Sequence, residues 1–118
     1  MASRDSNFCI APDEIRQLIP PMGSCFATDR ITIDGLKVGY MYRQEPDNEI
    51  DSGWRFLSGD ESQEYADMPT NWALYEVNTI CNYDPAIIPH LGSPAGSAFG
   101  RIEGTDRFEE EELDQEEA

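Results

Sequence analysis

The stretch Gly35-Leu-Lys-Val-Gly-Tyr-Met-Tyr-Arg43, Glu45-Pro-Asp-Asn-Glu-Ile-Asp51 and Ser52-Gly-Trp-Arg-Phe-Leu-Ser-Gly59 decides how this chain is read. Its outer blocks are aromatic and aliphatic, and such residues fit a pleated, half-buried surface. Between them lies a loop dense in carboxylates. Two strands can hold such a loop still, so its acids form a shaped surface and not a floating run. No nucleophile or base accompanies them. The combination points to binding a positively charged partner, not to chemistry.

Period-two alternation places Leu36, Val38, Tyr40 and Tyr42 on one face of the first strand and Lys37, Gly39, Met41 and Arg43 on the other. A glycine inside a strand, here Gly39, signals a bulge or a close backbone approach. Upstream, residues 24–33 predict another strand, although the alternation falters at Asp29-Arg30. Asp34-Gly35 then predicts a two-residue hairpin turn leading into the return strand 36–43. Gly53 to Leu57 is a third strand. Asp60 to Asp67 reads as a helical turn with acids at its start. Residues 72–81 admit two readings: alternation favours a strand, and a helix starting after Asn71 also fits. Asp84-Pro85 predicts an N-cap followed by proline at the first helical position. That short helix carries Ile87, Ile88 and Leu91, and Pro89 limits its length. A final strand is expected over 97–102.

The two ends differ from this body. Pro12-Asp13-Glu14 opens a helical pattern that continues through Ile15, Leu18 and Ile19 and stops at Pro20-Pro21. Residues 103–118 hold nine acids against one base, Arg107. Acidic runs of this kind read as flexible tail. The expected organisation is an N-terminal segment over 1–22 with a short helix, one α+β domain over 23–102, and an acidic tail over 103–118. The domain is expected to hold a small, largely antiparallel sheet of about five strands, with two or three short helices on one face or end.

Charge narrows the partners. The 118 residues carry 24 acids against eight Lys and Arg, a formal net charge of −16. Phosphate binding needs clustered cations, so nucleic acid and anionic membranes are poor partners. A basic protein or a cation remains, beside the plain reading that surface acid only keeps a protein soluble. Cys9, Cys25 and Cys81 are odd in number and widely spaced, which argues for free thiols and against a disulfide frame or zinc site. The first residues contain no apolar leader and no run reaches the length of a membrane span, which points to a cytoplasmic protein.

Candidate chemistry fails on spacing. An EF-type calcium loop counted from Asp47 needs glycine at the sixth position and glutamate at the twelfth. Ser52 and Ser58 stand there. The single histidine, His90, reads as a packed structural residue. No phosphate-binding glycine loop is present. The expectation is therefore no catalytic residue, no metal and no cofactor. The candidate binding residues are Glu45, Asp47, Glu49, Asp51, Asp60, Glu61 and Glu64, with Trp72 as an aromatic anchor. Trp54, beside them in sequence, reads as core.

The blocks Gly35–Arg43, Glu45–Asn48, Asp51–Phe56, Ser58–Glu61 and Asn78–Ile80 with Asn82–Pro85 resemble a bacterial family, immunity protein thirty-three of polymorphic toxin systems. The resemblance spans about residues 23–102. It implies a small cytoplasmic protein, without a catalytic motif, that neutralises a cognate toxin by binding it. The rival expectation is a non-enzymatic regulatory or accessory domain that binds a cellular protein, with no toxin involved.

Overall fold

The computed structural model describes residues 8–111. Six strands form one sheet: β1 (Ser24–Thr28), β2 (Tyr40–Arg43), β3 (Asp51–Leu57), β4 (Trp72–Glu76), β5 (Ala98–Arg101) and β6 (Phe108–Glu111). Their spatial order is β4-β1-β3-β2-β5-β6. β1 and β3 run parallel, and the other neighbouring pairs run antiparallel. Three short α-helices, α1 (Asp29–Thr32), α2 (Gln63–Ala66) and α3 (Val77–Tyr83), and a 3-10 helix over Pro85–His90 complete an α+β fold.

The core lies on one side of the sheet. Cys25 and Ala27 of β1, Met41 of β2, Trp54 and Phe56 of β3 and Phe99 of β5 project to this side. Ile31 of α1, Val77, Ile80 and Cys81 of α3, and Ile87 of the 3-10 helix pack onto them. Trp54 is fully buried, stacks on Phe56 at 6.0 Å between centroids, and donates its indole N–H to the Leu91 carbonyl. Burying side chains of this size contributes about 2–3 kcal/mol each, which makes this pair the centre of the fold.

The hairpin expected at Asp34-Gly35 is absent. β1 ends at Thr28, and Asp29 begins α1. Ile31 and Thr32, strand formers by propensity, sit fully buried in that helix. Tertiary burial overrides their preference. Gly35 ends the helix with φ +80°. The N–H groups of Asp34, Gly35 and Leu36 return to the carbonyls of Asp29, Ile31 and Arg30. Aspartate-glycine thus serves as a helix stop, where left-handed backbone is as useful as in a hairpin. β2 starts late, at Tyr40, and pairs with β3 and β5, not with β1. Gly39 is a close approach: a β-carbon there would strike the Ser58 carbonyl.

Three other expectations shift. Residues 72–81 satisfy both readings in turn, strand to Glu76 and helix from Val77. The N-terminal helix shrinks to a single turn over Pro12–Glu14. The chain beyond it is held by side chains, because Asn78 and Asn82 accept from and donate to the backbone of Arg16, Leu18 and Ile19. Finally, part of the expected acidic tail is β6, an edge strand whose Phe108 is partly buried against the core. The rest of that segment, from 112, lies outside the described residues.

Candidate functional site

Among the described residues, α1, α3 and the Pro85–His90 helix pack on the core side of the sheet, and α2 with the turn after it borders the other face. Pleat alternation brings Leu74 of β4, Phe26 of β1, Arg55 of β3 and Tyr42 of β2 into one row across four strands. Tyr40 lies beside Tyr42, with ring centroids 5.8 Å apart. Phe26, Tyr40, Tyr42 and Trp72 are half-buried and Leu74 is 55% exposed. α2 and the turn that follows it border one corner. There a cleft of about 300 Å³ opens, with Phe26, Tyr42, Arg55, Asp67 and Trp72 among its walls. Trp72 is fixed in place by its indole N–H, which donates to the Ala66 carbonyl at 2.9 Å.

Arg55 is the organising residue of this face. It is 5% exposed. Its guanidinium lies over the Phe26 ring and forms a two-pronged contact with Asp51, at 3.0 and 3.1 Å. Such forked pairs are strong and fixed in direction. The β1–β3 register shifts between the Ser24–Asp51 and Phe26–Arg55 pairs. Asp51 also accepts from the backbone N–H of Asp47 and of Gly53. The hydrogen bond from Arg55, together with these two, holds the Asp51 carboxyl down at about 2, against the opposing effect of burial. Asp47 stands 3.5 Å from the same guanidinium, with its side chain 66% exposed.

The structure separates the acids that sequence grouped together. Asp51 is buried and held by Arg55, so it shapes the 44–50 loop from inside. Glu61 also turns inwards: it accepts from the Thr28 hydroxyl and from the N–H groups of Ser58 and Gly59. Asp60 is exposed, close to Arg30 and bonded by the Ser58 hydroxyl. Glu45, Glu49 and Glu64 are exposed. Asp47 and Asp67 are the acids that meet the cleft itself, through Arg55 and as a wall. Trp54 is core, and Trp72 is half-buried at the cleft.

Sequence reasoning left out Phe26, Tyr40 and Glu111 as site residues. Glu111 of β6 reaches across Gly100 towards the tyrosines. Burial pushes the Tyr40 phenol up, and the Glu111 carboxylate reinforces that shift. Burial likewise raises Tyr42, with Arg55 acting against it. The signal for Phe26 was its phase in β1. Nothing in a run of glutamates announced that Glu111 lies on a strand.

The remaining groups are structural. Burial drives the Cys25 thiol well above its ordinary range and Cys81 to about 11, so neither supplies thiolate near neutrality. Cys9 is exposed and sits against the Ile33 carbonyl. Among the described residues no group of three or more His, Cys, Asp or Glu is placed to hold a metal ion. No helix of the described residues is long and apolar enough to cross a membrane.

The family model of the Immunity protein Imm33 domain matches residues 25–112, and the chain belongs to that family. No curated protein and no solved structure matches the chain. The matched span ends beyond β6, so the family domain takes in the edge strand as well as the strands that carry the open face.

Proposed function

We propose that this Imm33-family chain is an immunity protein that neutralises a basic cognate toxin by covering it with the open face of its sheet. The observation that carries the reading is the row of exposed Leu74, half-buried Phe26 and Tyr42 and buried Arg55, with Trp72 beside it and carboxylates at its margin. Aromatic residues on a rigid sheet make good interface anchors, since little side-chain freedom is lost when they bind. Arg55 is already neutralised by Asp51, so the net charge offered to a partner comes from Asp47, Asp67 and Glu111, with Glu45, Glu49, Asp60 and Glu64 further out. These acids steer a basic surface on approach, and the aromatics hold it. No step of bond making is required, and the domain acts without a cofactor, in the cytoplasm where its toxin would do harm.

The test is affinity capture with the full chain from its native cell, comparing wild type with Asp47→Lys/Asp67→Lys and with Tyr42→Ala/Trp72→Ala. Wild type is expected to retain a basic protein that both double variants lose. Retention of the same partner by both variants would place the interface elsewhere, and an acidic partner would overturn the charge argument.

A further inference from the structure

A second cleft, of about 600 Å³, lies on the helix-bearing side, where the Pro85–His90 helix meets the turn leading into β6. Its lining holds two cations and two carboxylates, so it is neutral within a molecule of net charge −16. Lys37, the one lysine of the chain, and Arg107 both line it. Among the described residues neither side chain has an ion-pair partner, whereas Arg55 and Arg101 are tied to carboxylates. Two acids also line the cleft, and both are engaged by Arg101. Asp84, almost fully buried, accepts from Arg101, from the Val38 N–H and from the Ala86 N–H. Asp106 takes the other prong of Arg101, at 3.2 Å. Arg101 therefore ties up both carboxylates, and Lys37 and Arg107 remain without an ion-pair partner among the described residues.

We propose that this cleft binds a small phosphate-bearing anion, with the phosphate between Lys37 and Arg107. The two side chains provide charge-assisted donors for a tetrahedral oxyanion. The volume exceeds what a phosphate group alone would fill and falls in the range of small-molecule sites. Its remaining walls, Pro85, Pro89 and the ring of Phe108, are apolar and suit a planar group such as a nucleobase. His90 is packed between Phe99, at 4.7 Å, and Phe108, at 5.5 Å, and stiffens that wall. The overall charge of −16 opposes the approach of an anion. At physiological salt that field fades over about 8–10 Å, so contacts within the cleft decide the outcome.

The experiment titrates the isotope-labelled full chain with ADP and, separately, with inorganic pyrophosphate, and follows backbone amide shifts. Shifts should centre on Lys37, Ala86, His90 and Arg107, with ADP binding more tightly than pyrophosphate. Equal affinities would assign the site to phosphate alone. Lys37→Ala/Arg107→Ala should weaken binding by at least about tenfold, while Gln63→Ala in α2, outside the cleft, should leave it unchanged. Both basic side chains are exposed, so the fold should survive; the single variants Lys37→Gln and Arg107→Gln serve if the double variant unfolds. Absence of shifts with either ligand, or shifts that persist in the basic-site variants, would overturn the site.

Discussion

Arg55 ties the stability of the fold to the shape of the proposed binding face. Its fork on Asp51 lowers that carboxyl from 3.8 to about 2. A carboxyl depressed in the folded state stabilises the fold above its unfolded pKa and ceases to do so as pH falls through the folded one. The pair should therefore contribute about 2 kcal/mol above pH 4, lost between about pH 4 and 2. Urea titrations across that range should show a steeper loss of stability in wild type than in Asp51→Asn. Arg55→Ala should cost about 3–5 kcal/mol at neutral pH, because it leaves a buried carboxylate without its partner. A loss under 1 kcal/mol would mean that solvent reaches Asp51 freely. Trp54→Ala, which removes the centre of the core, should cost about 3–5 kcal/mol in the same assay.

At the level of elements, β6 is the instructive case. It is anchored by Phe108, which packs against His90 and beneath the Arg101 guanidinium. Phe108→Ala should destabilise the fold by about 1–3 kcal/mol, and amide exchange at residues 108–111 should accelerate more than in β3. Uniform acceleration would show β6 to be no separate unit. The strand is hard to see in sequence because four glutamates, Glu109 to Glu112, follow Phe108, and charge masks alternation. The aromatic blocks 40–43 and 53–57 were legible, since their residues have few other places to go. α1 was not: four residues are too few for a helical period, and Asp34-Gly35 stops a helix as well as it turns a hairpin. The stripe of Ile15, Leu18 and Ile19 misled for a different reason. Asn78 and Asn82 satisfy that backbone from a distance of more than fifty residues in sequence. The parallel contact of β1 with β3 depends on long-range packing that local pattern does not encode. The sequence groups these acids together but does not divide them into buried and exposed. Asp51 and Glu61 differ from Asp47 and Glu49 by their partners, not by their neighbours in sequence.

The whole molecule carries its charge unevenly. Acids border the aromatic face, and a cleft lined by the unpaired Lys37 and Arg107 lies on the helix-bearing side. With a net charge of −16, the free protein repels itself. Raising salt from 20 to 200 mM, a span of about threefold in screening length, should therefore raise its melting temperature. The same salt should slow association with a basic partner while changing dissociation little. Faster association at high salt would contradict the steering role of the acids. The most direct measurement is the dissociation constant of the captured toxin for wild type and for Tyr42→Ala/Trp72→Ala, beside Lys37→Ala as a variant outside the proposed interface. Two anchors worth about 2 kcal/mol each predict a loss of several hundredfold or more for the double variant and no change for Lys37→Ala. An unchanged dissociation constant in a folded Tyr42→Ala/Trp72→Ala protein would contradict the account.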